Sequence, residues 1–129
     1  VTLRLQVNVS DAELVDLLNR AAAMVYAPRL EPFGYAPLEA NAAGCPVVTV
    51  LEGGMRETVV DGVNGLLVPP EPQAFAAALT TLLNDPTLAG RLSRDARRHI
   101  EEHWTLDAAL DRLEAHLYAV ADQGASEAT

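Results

Sequence analysis

Leu3, Leu5, Val7 and Val9 alternate with Arg4, Gln6 and Asn8, the period of two that predicts a strand. Ser10 then stands three residues before Glu13, the spacing of a capping box, and Leu14, Leu17, Leu18 and Ala21 follow at helical intervals. The apolar run from Ala23 to Ala27, ended by Pro28, reads as a buried strand. A loop over Glu31 to Gly34 leads to a helix over Tyr35 to Ala43, which Gly44 terminates. Pro46 to Val50 is the most strand-like run in the chain. Gly53-Gly54 breaks it, and a short helix over Met55 to Val60 follows. Asp61 to Gly65 carries turn chemistry, and Leu66 to Val68 is a strand stopped by Pro69-Pro70. The remainder is helical. Phe75, Leu79, Leu82 and Leu83 mark one helix, and Pro86 to His103 is a second, with Asp85 as its cap and Pro86 at its first position. Leu106, Leu110, Leu113 and Leu117 mark a third over 106–122. Residues 124–129 are a polar tail expected to fray.

Strands that alternate with helices, and that are apolar on both faces, predict an α/β fold: a Rossmann-like parallel sheet with helices on both faces. Ligands in such sheets bind at the carboxyl ends of the strands, here the loops after Val9, Ala27, Val50 and Val68.

Composition narrows the function classes. At 129 residues the chain is one domain or a piece of one, and 50% hydrophobic residues are enough for a core. No apolar run approaches the roughly 20 residues of a membrane span, and no signal segment precedes the first strand. These features predict a soluble fragment of a cytoplasmic protein. The net charge of −9 repels phosphate backbones and anionic membranes, which argues against nucleic acid as a partner. All nine basic residues are Arg. The single Cys45 forms no internal disulfide, and its setting between Gly44 and Pro46 suits a small buried side chain.

The loop after the second strand carries the candidate chemistry: Glu31-Pro32-Phe33-Gly34-Tyr35-Ala36-Pro37-Leu38-Glu39. Gly34 allows close approach of backbone to a ligand. The amides of Phe33, Gly34, Tyr35 and Ala36 lie at a helix N-terminus, a ready site for phosphate. Glu39, about one turn into the helix, can accept two hydrogen bonds, as from a ribose diol. Glu31 stands before the helix, where a second polar group of a ligand would sit. A hydrolytic carboxylate pair is disfavoured, because eight helical residues span roughly 12 Å and a retaining pair lies about 5–5.5 Å apart. His99 and His103 share a helix at metal-binding spacing, but no third ligand accompanies them, and no metal is expected. Gly53-Gly54 lacks the third glycine of a dinucleotide fingerprint.

The Glu-x7-Glu spacing with Phe33-Gly34, continued by Glu39-Ala40-Asn41-Ala42-Ala43-Gly44-Cys45-Pro46-Val47-Val48, resembles the donor-site motif of family 4 of the retaining glycosyltransferases. The resemblance extends through Gly53-Gly54-Met55-Arg56-Glu57 and Asp61-Gly62-Val63-Asn64-Gly65-Leu66-Leu67-Val68-Pro69, and covers roughly Val7 to Val120. Val7 stands where that family usually has Gly, and the loop from Pro28 to Glu31 is one residue shorter than usual. The resemblance implies the C-terminal, donor-binding domain of a GT-B enzyme, spanning residues 1–123 and N-terminally truncated. It also implies retaining hexosyl transfer from a nucleotide-diphosphate sugar, with no cofactor and no obligatory metal. By position, Glu31 would contact hydroxyls of the donor sugar and orient it, as the catalytic residue, without becoming a covalent nucleophile. Amides of Phe33 and Gly34 would meet the same sugar, those of Tyr35 and Ala36 the diphosphate, and Glu39 the ribose. Val9 and Asp11 would border the base. The partners implied are the nucleotide sugar and the N-terminal domain of the parent enzyme, which works in the cytoplasm or at the inner membrane face.

The chain alone is therefore expected to transfer no sugar. The alternative reading is a GT-B relic that binds nucleotide without catalysis, or an interaction module. In the order 3-2-1-4-5-6 of such sheets, the four predicted strands take places 3 to 6. This leaves the strand at Ala23–Ala27 with an open apolar edge. The last helix would likewise lack a partner for its leucines. Homodimerisation through that edge and that helix is the expected consequence.

Overall fold

The computed structural model describes residues 2–127, arranged as a three-stranded parallel sheet among six helices. Helix α1 (Asp11–Arg20) begins as the pattern predicts. The Ser10 side chain accepts from the Glu13 amide, and the Glu13 carboxylate accepts from the Ser10 amide at 2.8 Å. Strand β1 (Met24–Tyr26) leads through the Glu31 loop to α2 (Tyr35–Ala42). That helix ends in a Schellman arrangement: Gly44, with φ 73°, donates to the Asn41 carbonyl, and Cys45 donates to that of Ala40. Strand β2 (Val47–Val50), the short α3 (Met55–Thr58) and strand β3 (Gly65–Val68) follow. The chain closes with α4 (Pro72–Asn84), α5 (Pro86–His103) and α6 (Leu106–Glu127). Asp85 caps α5 by accepting from the Leu88 amide at 2.9 Å. Helix α6 runs past the predicted 106–122, and residues 128 and 129 of the tail expected to fray lie outside the described residues.

The strand order is β1-β2-β3, with Met24 paired to Val47 and Val47 to Gly65. The central strand β2 is buried throughout, and its alternate residues point into two clusters. Val48 packs with Val68, Leu82 and Leu92, joined by Phe75, Ala78 and Leu79 of α4. Val47 packs with Ala40 and Cys45, joined by Leu18, Met24 and Tyr26. Helices therefore cover both faces of a Rossmann-like parallel sheet. Burial pushes the Cys45 thiol up from its ordinary value, which makes this cysteine a small core residue and a poor nucleophile.

The strand predicted over Leu3 to Val9 does not form: residues 2–9 carry no regular structure, and Leu3, Leu5 and Val7 are 93%, 88% and 71% exposed. A strand exists only through its ladder, and no neighbour among the described residues offers one. The free edge of β1 does not recruit this segment either, so β1 pairs with β2 alone and Val25 stays half exposed. Helix α6 shows the other expected gap. Leu106, Leu110, Leu113 and Leu117 are 52–73% exposed. Among the described residues no helix is long and apolar enough to cross a membrane.

Two polar features lie inside the core. Asn41 and Asn64, both fully buried, hold each other and the backbone around them. Asn41 Nδ2 donates to the carbonyls of Cys45 (3.1 Å) and Asn64 (2.9 Å), and Asn64 Nδ2 donates to Asn41 Oδ1 (2.8 Å) and the Thr58 carbonyl (3.0 Å). Asn64 Oδ1 accepts from the Val60 amide at 2.6 Å. This pair bolts the end of α2 to the turn before β3. In contrast, Thr49 Oγ1 in β2 is buried without a partner. An unsatisfied buried hydroxyl costs about 1–3 kcal/mol, and valine has nearly the same shape. Thr49→Val is therefore expected to raise stability by about 1 kcal/mol in urea unfolding. A lower midpoint would mean that the hydroxyl is satisfied in solution.

Candidate functional site

Pro28 ends β1, and the chain then turns sharply. Leu30 takes a left-handed φ of 58° with its side chain in water. A non-glycine residue there costs on the order of 1–3 kcal/mol and signals a conformation that the surroundings impose. The turn delivers Glu31 back over the start of α2. Glu31 Oε1 accepts from the amides of Phe33 (3.2 Å) and Gly34 (3.0 Å), and its Oε2 accepts from the Tyr26 hydroxyl (3.2 Å). The carboxylate and the two amides expected to share a ligand are thus in contact with each other.

Close backbone packing holds this loop in place. The Gly54 amide donates to the Glu31 carbonyl at 3.0 Å. A Cβ on Gly54 would lie 2.5 Å from Phe33 Cα, Phe33 O and Pro32 O, and one on Gly53 would lie 2.5 Å from Glu31 O. Gly53-Gly54 is therefore the close-approach surface on which the loop rests, and its lack of a dinucleotide fingerprint is no obstacle to that role. Gly34, at φ 98°, caps α2 directly over the buried Met55.

The first-turn amides of Tyr35 and Ala36 have no helical carbonyl behind them to accept, and neither makes a hydrogen bond among the described residues. Pro37, next in line, has no N–H to orphan. Glu39 lies just past the first turn on the exposed side of α2, opposite the buried Pro37, Ala40 and Asn41. The loop thus brings Glu31, Phe33, Gly34, Tyr35 and Ala36 together, with Glu39 on the helix they open. Val9 and Asp11 sit apart at the start of α1, and among the described residues no hydrogen bond links them to the loop. Arg29 is exposed beside a cleft of about 560 Å³ at the carboxyl ends of the strands, floored by Val25, Val50 and Phe75. The Glu31–Glu39 segment does not line that cleft, so the convergent polar groups, and not the cleft, define the site.

Two participants escaped the sequence reading. Tyr26 counted only as part of an apolar run, although its hydroxyl was a signal in a strand otherwise free of polar atoms. Trp104 had no such signal. Its ring meets Phe33 edge-on at 5.6 Å, and Phe33 in turn lies 4.9 Å from Tyr35. Trp104 Nε1 donates to His99 Nε2 at 3.3 Å, so His99 accepts at that nitrogen and is neutral. Burial, and then the neighbouring His103 stacked at 4.5 Å, lower the His99 pKa below 6.5. With the folded value below the unfolded one, this contribution to stability is intact above about pH 6.5. It is lost as pH falls from there through the folded value. Trp104 fluorescence is expected to report loosening of the Phe33 contact over that interval, and His99→Gln to flatten the response. An unchanged profile in the variant would remove His99 as its origin.

The chain is similar to known proteins over most of its length. The family described as glycosyl transferases group 1 matches residues 2–99. The chain is 34% identical over 104 residues to the mouse alpha-1,3/1,6-mannosyltransferase ALG2, covering 81% of this chain and 25% of that protein. Among solved structures, the C-terminal domain of a glycosyl transferase group 1 family protein (LpcC) from Francisella tularensis superposes with a TM-score of 0.71 at 26% identity, over 79% of this chain and 53% of that one. HepE from Anabaena, in complex with UDP-glucose, superposes with a TM-score of 0.69 at 27% identity, over 80% and 29% of the two chains. The chain spans about a quarter of the length of the curated relatives it matches.

Proposed function

The chain belongs to the glycosyl transferases group 1 family, and on that premise we propose that it supplies the donor-binding part of a retaining transferase that moves a sugar from a nucleoside-diphosphate sugar to an acceptor. The observation that carries this reading is the convergence of the Glu31 carboxylate with the amides of Phe33 and Gly34, beside the unpaired amides of Tyr35 and Ala36. A mononucleotide site needs such a group of donors for phosphate and a separate acceptor for ribose, which Glu39 provides one turn on. The binding of UDP-glucose by a structural neighbour supports the same class of donor.

In this reading the diphosphate takes the Tyr35 and Ala36 amides, and Glu39 accepts from the ribose diol. Glu31 grips hydroxyls of the donor sugar and orients its anomeric carbon. Because Glu31 itself satisfies the Phe33 and Gly34 amides in the free domain, a sugar that uses those amides must share or displace the carboxylate. The leaving phosphate helps to deprotonate the acceptor on the same face, so no carboxylate has to act as a nucleophile and no metal is required. In this reading the acceptor site lies outside these residues, and the apolar stripe of α6 would dock against whatever carries it. The isolated chain then transfers nothing. A second copy would cover the open edge of β1 and this stripe, which sedimentation of the chain would reveal as a dimer.

Calorimetric titration with UDP and UDP-glucose tests the assignment. Glu39→Ala is expected to weaken both ligands by roughly 1.5–3 kcal/mol, the weight of hydrogen bonds to a charged acceptor. Glu31→Ala is expected to leave UDP unchanged and to remove whatever advantage UDP-glucose has over it. The reverse pattern would exchange the two roles.

A further inference from the structure

We propose that Tyr26 is a positioning residue that sets the orientation of the Glu31 carboxylate for the donor sugar; the inference rests on the donor role of Glu31 proposed above. The two oxygens of this carboxylate are held by different parts of the fold. Oε1 is tied to its own loop through the Phe33 and Gly34 amides, and Oε2 to the sheet through the Tyr26 hydroxyl. With Oε1 alone held, the carboxylate is free to turn about its last side-chain torsion, which is broad and soft. The phenol stops that turn.

Tyr26 is suited to the task because it is itself fixed. It is the last residue of β1, its backbone is in register with Thr49 of β2, and its ring packs with Met24 and Leu18 against Ala40, Cys45 and Val47. The hydroxyl therefore reaches Glu31 from a rigid element, across the turn at Leu30. The phenol is a protonated donor at neutral pH, and burial, and then Glu31 itself, raise its pKa further above the ordinary value. A tyrosine that served only to fill the core would have no need of this contact, and phenylalanine would replace it without functional effect.

The test is a double-mutant cycle on the ratio of UDP-glucose to UDP affinity, measured calorimetrically on the full chain. Wild type, Tyr26→Phe, Glu31→Gln and the double variant are compared, with circular dichroism confirming that each is folded. Tyr26→Phe retains the ring and its packing. It is expected to lower the ratio about 3- to 10-fold, the weight of one hydrogen bond, while UDP affinity stays constant. In the Glu31→Gln background the same substitution is expected to have no further effect on the ratio. Should wild type prefer UDP-glucose and Tyr26→Phe keep that preference, or should the loss persist in the Glu31→Gln background, the positioning role is overturned while the role of Glu31 stands. Should wild type show no preference for UDP-glucose, the donor role of Glu31 fails and the Tyr26 inference fails with it.

Discussion

Replacing Asn64 by alanine is expected to destabilise the domain by about 3–5 kcal/mol, from two buried hydrogen bonds and one part-buried one, a buried group costing roughly 1–3 kcal/mol when left unpaired. The substitution strands the Val60 amide, the Thr58 carbonyl and Asn41 Oδ1, all of which Asn64 satisfies. Asn64 has no exposed surface, so water reaches the Thr58 carbonyl and Asn41 Oδ1 only through a cavity. Against a total stability of about 5–15 kcal/mol for a domain, that loss is a large fraction of the whole. Urea unfolding reads the effect directly. Asn41→Ala is expected to be similarly costly, because it strands the carbonyls of Cys45 and Asn64. The double variant is expected to cost clearly less than the two losses added, since the pair shares bonds. Additive losses, or a single loss below about 1 kcal/mol, would show that the two amides are not a coupled latch.

The second large effect is expected at Gly54. An alanine there puts a methyl group 2.5 Å from three backbone atoms of Pro32 and Phe33, and backbone cannot rotate aside as a side chain can. The loop must lift, which breaks the bond from the Gly54 amide to the Glu31 carbonyl and moves the Glu31 carboxylate from its place. Overpacking of this kind costs about 1–3 kcal/mol in stability. The preference for UDP-glucose over UDP is expected to fall at least tenfold, about 1.4 kcal/mol. Gly62→Ala provides the control. Gly62 has a φ of 73°, but a Cβ there would meet nothing within 4 Å. It is expected to cost about 1 kcal/mol of backbone strain and to leave ligand binding alone. Equal effects of the two variants on ligand preference would exclude the loop-clamp explanation.

Structure that depends on neighbours along the chain was legible in the sequence. The Ser10–Glu13 box, the Asp85 cap and the glycine stop of α2 each close hydrogen bonds within a few residues, so residue type and spacing were enough to place them. The runs at Ala23–Ala27, Pro46–Val50 and Leu66–Val68 were legible as strands because each is apolar and paired; the first, expected to be buried, is half exposed along its open edge. The contact of Glu31 with the Phe33 and Gly34 amides also spans only two and three residues, and the motif announced the site even though it did not announce that contact.

Tertiary structure alone decided the rest. Leu3 to Val9 has the alternation of a strand, but alternation describes which face a strand would bury and supplies no partner for its backbone. Without a ladder the segment stays irregular and its leucines face water. Asn41 and Asn64 lie 23 residues apart and look, in sequence, like ordinary helix and turn residues. Only the packing of α2 beside the turn before β3 brings their amides together in a place that water does not reach. Trp104 meets Phe33 because α5 and α6 join beside the start of α2, and Tyr26 meets Glu31 because the Leu30 turn folds the loop back on its own strand. These contacts join groups whose placement depends on how whole elements pack, and packing is a property of facing surfaces that no local spacing of residues encodes.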